Sequence, residues 1–262
     1  MKLLESGAVY RPNWNVHSRI QTLISTRKGG LSQRPYESFN LGVHVGDDLA
    51  TVFENRKLLS EILPSEPHWL NQVHGTNVVK LSENSNDAVY DADAVYTRSP
   101  NQVLAIMTAD CLPILFSDQQ GSFVAAVHAG WRGLALGVIQ SLFKKLVAEL
   151  NPENENHFMS SITAWIGPAI SSRHFEVGQD VMEAFKNNLG NKFPESDFFY
   201  PCGVQSKYLA DLPAIATWIM KSMGITDIQT DSRCTFAESD DFFSYRREGV
   251  TGRMASLIWL EP

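Results

Sequence analysis

Cysteine is scarce: the chain has three in 262 residues, Cys111, Cys202 and Cys234, with no Cys-x-x-Cys pair among them. An odd, scattered set excludes a secreted disulfide framework and a dithiol redox motif. Long apolar runs are missing as well, and none approaches the roughly 20 residues that a bilayer span needs. The opening Met1-Lys2-Leu3-Leu4-Glu5-Ser6 meets a charge before the core of a signal peptide can develop. No Lys/Arg block exceeds a pair, and the formal charge is −7 with a pI near 5.5, so the surface repels a phosphate backbone. The expectation is a cytoplasmic protein without membrane or nucleic-acid partners. No repeat, linker or low-complexity tract divides the sequence, so residues 1–262 are expected to form a single domain.

What is present is an ordinary globular composition, 44% apolar, long enough for a compact fold to bury roughly 70–75% of its unfolded surface. Ser18 to Ser25 roughly alternates and ends in Arg27-Lys28-Gly29-Gly30, a strand running into a turn. A long polar loop follows. Asp47-Asp48 then caps a helix whose apolar positions, from Leu49 to Ile62, recur with helical spacing until Pro64. The middle third predicts strands at Trp69–His74, Val78–Leu81, Ala92–Thr97, Val103–Phe116 and Phe123–His128. From Leu134 to Leu150 the period becomes helical. Further on, Ile162–Ile166 reads as a strand, Val181–Leu189 and Ser206–Met223 as helices, and Ile225–Ile228 and Ala255–Leu260 as closing strands. Strands that arrive in runs indicate α+β layering rather than a doubly wound parallel sheet.

Two of the seven histidines sit where an apolar run meets glycine, Val73-His74-Gly75 and Val127-His128-Ala129-Gly130, and Cys111 interrupts a third such run. Their separations, 37 and 17 residues, match no local zinc-finger spacing, so a joint site has to be assembled by the fold. Two imidazoles and a thiolate would suit Zn²⁺ and leave a fourth tetrahedral position open. Cys111 as a nucleophile activated by a histidine, in the manner of Cys–His hydrolases, fits the same residues. So does a buried, inert cysteine. After His128, the small residues of Ala129-Gly130-Trp131-Arg132-Gly133 open a helix, and the planar fork of Arg132 suits phosphate or carboxylate; a structural ion pair is the plainer reading of that arginine. The stretch from Arg233 to Arg247 mixes acids, aromatics and arginines and could stack a planar heterocycle.

These residues, together with Thr26-Arg27-Lys28-Gly29-Gly30, Phe39-Asn40-Leu41-Gly42, Asn71-Gln72-Val73-His74-Gly75, Asp91-Ala92-Asp93-Ala94, Thr108-Ala109-Asp110-Cys111 and Phe243-Ser244-Tyr245-Arg246-Arg247, resemble the laccase-domain family. That family was long labelled polyphenol oxidase and is regarded as zinc-containing purine nucleoside phosphorylases. The resemblance runs in order from about Ser18 to the C-terminus. It implies a four-layer α/β/β/α sandwich with mixed sheets and a Zn²⁺ held by His74, Cys111 and His128. It further implies phosphorolysis of adenosine, inosine and methylthioadenosine, with adenosine deaminase activity, by a monomer or weak homo-oligomer. Arg27, Asn40, Gln72, Arg132 and Arg246 are the expected contacts to nucleoside and phosphate, and Asp110 is the carboxylate nearest the ligands in sequence. A Cys–His deamidase of similar fold keeps Cys111 as nucleophile in play. Multicopper chemistry is rejected, because the trinuclear cluster is built from His-x-His pairs and the chain contains none.

Overall fold

The computed structural model describes residues 2–82, 85 and 88–262; Met1, at the head of the opening read above, lies outside them. The first half runs α1 (Lys2–Glu5), β1 (Val9–Tyr10), β2 (Ile20–Ser25), α2 (Leu49–Ser60), β3 (Leu70–Asn71), β4 (Val78–Leu81), β5 (Tyr90–Asp91), β6 (Ala94–Thr97) and β7 (Leu104–Thr108). There follow β8 (Leu112–Asp118), β9 (Val124–Ala129), α3 (Trp131–Leu136), α4 (Val138–Leu150), α5 (Glu155–Ser160) and β10 (Ile162–Ile166). The last third holds β11 (Glu176–Gly178), α6 (Gln179–Leu189), β12 (Phe199–Pro201), β13 (Lys207–Ala210), α7 (Leu212–Ser222), β14 (Asp227–Thr230), α8 (Tyr245–Glu248) and β15 (Met254–Leu260).

Two sheets dominate, in the orders β1-β2-β15-β7 and β14-β10-β8-β9-β6-β4. Both outer pairs of the larger sheet, β4–β6 and β10–β14, are parallel and its inner pairs antiparallel, so it is mixed. Side chains alternate across a strand, which lets each sheet bury both faces. Along β9, Ala125, Val127 and Ala129 face helices α4, α6 and α7, whereas Val124 and Ala126 meet Leu104, Ile106 and Ile258 of the smaller sheet. The far face of the smaller sheet, with Ala105, Leu257 and Trp259, is closed by Leu59 of α2 and by Phe39 and Leu41 of the preceding loop. Helices, sheet, sheet and helix give the four-layer α+β sandwich.

The predicted helix from Leu134 is divided. Gly137, at φ 91°, ends α3 after six residues and restarts the chain as α4, whose Val138, Ile139, Leu142, Phe143 and Leu146 lie buried on one face. Ser206–Met223 divides too: Lys207–Ala210 pairs between β11 and β12, and the helix begins at Leu212 with Pro213 in its first turn, where a missing N–H costs nothing. Most consequential is Val103–Phe116, which forms two strands in different sheets, β7 and β8. No helix among the described residues is long and apolar enough to cross a membrane.

Candidate metal centre

Three residues, Ala109 to Cys111, carry the chain from β7 in one sheet to β8 in the other. Asp110 takes the turn at φ 100°, a region few non-glycine residues occupy, and is fastened there. Its Oδ1 accepts the Thr235 hydroxyl and its Oδ2 the Arg246 backbone N–H, each at 2.7 Å, while its carbonyl accepts Ile170 N–H at 3.0 Å. Cys111 is thereby held at the rim of the layer between the sheets. His128 reaches the same rim by strand periodicity: it shares parity with Val124 and Ala126 and lies at the end of β9, opposite Pro113. His74 arrives from the turn after β3, with φ 57°.

The potential ligand atoms of His74, Cys111 and His128 all lie within 4.8 Å of one another. Cys111 Sγ is 3.9 Å from His74 Nε2, and the two imidazoles meet edge to face with centroids 4.7 Å apart. His74 is exposed, Cys111 intermediate and His128 buried, so the cluster opens to solvent on the His74 side. Burial works against the Cys111 thiolate, but the His128 and His74 imidazoles outweigh it and hold the thiol down at about 6. Burial likewise disfavours the His128 imidazolium; Cys111 and Asp93 more than compensate and raise it to about 9. Two imidazoles and a thiol are donors that suit a transition metal such as Zn²⁺. At Zn–S and Zn–N lengths of about 2.3 and 2.0–2.1 Å, tetrahedral ligand atoms stand roughly 3.5 Å apart, so side-chain shifts of about 1 Å would close the set.

The other expected site residues spread over wider ground. Gln72 pairs both ends of its amide with the backbone of Met107, Nε2 to the carbonyl at 2.7 Å and Oε1 from the N–H at 2.8 Å. Asn40 is buried and fully engaged: its Oδ1 accepts Gly42 and Arg253 N–H, and its Nδ2 donates to the Gly42 carbonyl and Asp47. Arg27 donates to Glu248 at 2.7 Å and to the carbonyls of Glu37 and Ser239, and lines a cleft of about 690 Å³ with Lys28, Arg34 and Asp240 that includes none of the three ligands. Arg246 donates to the Glu176 carbonyl and lies over Phe175. Arg132 is exposed beside the ligand strand, its guanidinium 4.3 Å over the Trp131 ring.

Residues that the sequence reading left without a role also belong here. Asp93 accepts His128 Nδ1 at 2.8 Å and three successive N–H groups from Val73 to Gly75. In the sequence it stands inside the strand predicted at Ala92–Thr97 and in the Asp91-Ala92-Asp93-Ala94 motif of the resemblance, without a role attached. Burial lowers the Arg253 pKa, and the Cys111 and Asp110 charges act on it in the opposite sense; its guanidinium donates to the carbonyls of Thr251 and Gly252. The His44 imidazolium is disfavoured by burial and then by the charges of Arg253, Arg56, His128 and His74.

Residues 21–261 match the family model described as multi-copper polyphenol oxidoreductase laccase. The chain belongs to that family. Its members include proteins named purine nucleoside phosphorylase: that of Haemophilus influenzae is 47% identical over 95% of this chain and 98% of its own length, and YfiH of Escherichia coli is 46% identical over 95% and 97%. Among solved structures, protein NMB0706 of Neisseria meningitidis superposes with a TM-score of 0.87 at 43% identity, covering 97% of this chain and all of its own. YlmD of Geobacillus stearothermophilus gives 0.87 at 29% identity, over 97% of each chain. The family's description names several coppers. Among the described residues, His74, Cys111 and His128 form the one group of three or more His, Cys, Asp or Glu side chains able to hold a metal. His174, for example, pairs instead with Cys234 and Ser171 and stacks on Phe236.

Proposed function

We propose that the chain, as one domain over 1–262, is a purine nucleoside phosphorylase that binds one Zn²⁺ on His74, Cys111 and His128. Its substrates are adenosine, inosine and methylthioadenosine with phosphate, and it deaminates adenosine as well. The observation that carries this reading is the convergence of two imidazoles and a low-pKa thiol on one solvent-facing point. The names of relatives above 40% identity support that reaction class. When bound, the cation supplies a Lewis acid with an open coordination position.

The chain's own groups do the rest. Arg132 follows His128 by four residues and is exposed, with no carboxylate on it among the described residues, and its planar fork suits the phosphate co-substrate. Arg246, exposed and lying over Phe175, offers a cation for the nucleoside. Asn40 and Gln72 act through the backbone they hold, and Arg27 through the loop it ties to Glu248. Asp110, which takes the Thr235 hydroxyl on one oxygen and the Arg246 N–H on the other, contributes by aiming Cys111.

One observation favours a second reading. Asp93, His128 and Cys111 stand in the order orienting acid, base and nucleophile, as a Cys–His hydrolase requires. Metal analysis of the purified protein, with an assay of phosphate-dependent purine release and phosphate-independent deamination, separates the two. About one zinc per chain and release that requires phosphate are expected. Cys111→Asp keeps a ligand atom and is expected to retain measurable zinc and detectable release, which a nucleophilic sulfur would not allow. A Cys111-linked adduct trapped during turnover and seen by intact-protein mass spectrometry would overturn the metal assignment.

A further inference from the structure

Asp93 stands one residue before β6, and its side chain is fully buried. The antiparallel register pairs Ala94 with Val127, so position 93 falls beside His128, whose N–H donates to the Asp93 carbonyl at 2.7 Å. One carboxylate oxygen, Oδ1, accepts from His74 N–H at 2.9 Å and from His128 Nδ1 at 2.8 Å. The other, Oδ2, accepts from Gly75 N–H at 2.7 Å and Val73 N–H at 3.3 Å. An ionised carboxylate has about four acceptor positions and no donor, and here four donors converge on it. Three of them are consecutive backbone N–H groups of a turn whose central residue is left-handed, the arrangement that wraps an anion.

We propose that Asp93 is the positioning residue of the metal centre, a single carboxylate that fixes the His74 turn and the His128 ring against each other so that both Nε2 atoms face Cys111. The proposal rests on the reading that His74, Cys111 and His128 bind a cation. A proton kept on His128 Nδ1 by Oδ1 leaves Nε2 free to ligate. The backbone clamp on the turn does the equivalent for His74: it selects the conformation that brings Nε2 to 3.9 Å from the sulfur.

The isosteric change Asp93→Asn tests this, because an amide cannot replace the carboxylate in either orientation. With its NH₂ toward the turn it sets donor against the Val73 and Gly75 N–H groups. With its NH₂ toward His128 it moves the ring proton to Nε2, the ligating atom. Zn²⁺ affinity, measured by competition with a chromophoric chelator, is expected to weaken about 10–100-fold in the variant while its far-ultraviolet circular dichroism stays that of the wild type. Co²⁺ loading supplies a spectroscopic check: the tetrahedral thiolate spectrum expected of the wild type should weaken in the variant. A folded Asp93→Asn protein with unchanged Zn²⁺ affinity overturns the proposal and leaves the three-ligand site standing. A wild-type chain that takes up no Zn²⁺ or Co²⁺ overturns the metal reading and this proposal with it. Should the variant fail to fold, the zinc-loaded wild type decides: a slowly exchanging, hydrogen-bonded His128 Nδ1–H proton is expected by NMR, and a proton found on Nε2 instead overturns the role.

Discussion

Gly130 has a backbone that any residue could adopt, at φ −66° and ψ 159°, yet the space for a side chain is taken. A Cβ there would stand 2.8 Å from His74 Cδ2 and 3.1 Å from Cys111 Sγ, so one methyl group would push into two of the three ligands. Gly130→Ala is therefore expected to lower the stability by about 1–2 kcal/mol, since alanine caps a helix less well than glycine and the added methyl overpacks the turn. It should weaken Zn²⁺ binding by about tenfold or more, as displacement of ligands by a neighbouring group does; chelator competition and chemical denaturation on the same protein check both halves. Arg132 is the opposite case, exposed and stacked on Trp131 without a carboxylate on it among the described residues. Arg132→Lys keeps the charge and loses the bidentate fork. The KM for phosphate should rise on the order of tenfold with the nucleoside KM little altered. Steady-state kinetics with each substrate varied in turn measures this, and unchanged phosphate dependence would make the residue structural.

At the scale of elements, the centre is held by connections more than by regular structure. The His74 turn lies alongside β7 through the Gln72 amide, which takes both the N–H and the carbonyl of Met107. Gln72→Ala removes that pair and leaves Met107 with two unmet backbone groups, so a loss of about 1–3 kcal/mol is expected by chemical denaturation, with weaker metal binding because the turn carrying His74 is freed. The same contrast explains what could be read in advance. Ile162–Ile166 and Val78–Leu81 were legible residue for residue, because strands buried in a sandwich are short apolar runs with polar ends. His74, Cys111 and His128 were legible as polar interruptions of such runs. Their convergence was not readable from spacing and entered through the family resemblance. Val103–Phe116 hid its division, since Leu104, Ile106, Leu112 and Ile114 are equally apolar whichever sheet they join; the left-handed Asp110 that separates them is a tertiary fact. Asp93 stood in a motif of the resemblance, but its role stayed unread for a similar reason. Its four donors come from segments 18–35 residues away.

Across the whole molecule, the C-terminal segment between β14 and β15 is tied to both sheets by half-buried acids rather than by apolar packing alone. Asp231, whose N–H bonds the last carbonyl of β10, accepts a two-pronged guanidinium from Arg233 and the hydroxyl of Tyr10 on the smaller sheet. Arg233 in turn lies between Tyr10 and Phe242. Burial alone would raise the Asp231 pKa, but the Arg233 hydrogen bonds outweigh it and hold the carboxyl below its ordinary value. Glu248 is depressed in the same way, burial being overcome by Thr251, Arg27 and Arg247. A carboxylate with a lower pKa in the folded than in the unfolded chain contributes stability that is complete above the unfolded value, near 4, and is lost as pH falls through the folded one. Thermal unfolding followed from pH 7 to pH 2.5 should accordingly show a midpoint that is steady with respect to these two groups down to about pH 4.5 and then drops, each kcal/mol being worth about 2–4 °C in a chain of this size. Asp231→Asn removes the charge at every pH, so its midpoint should start lower at pH 7 and decline less steeply below pH 4. A variant whose acid limb runs parallel to that of the wild type would show that Asp231 does not bind the C-terminal segment to the sandwich electrostatically.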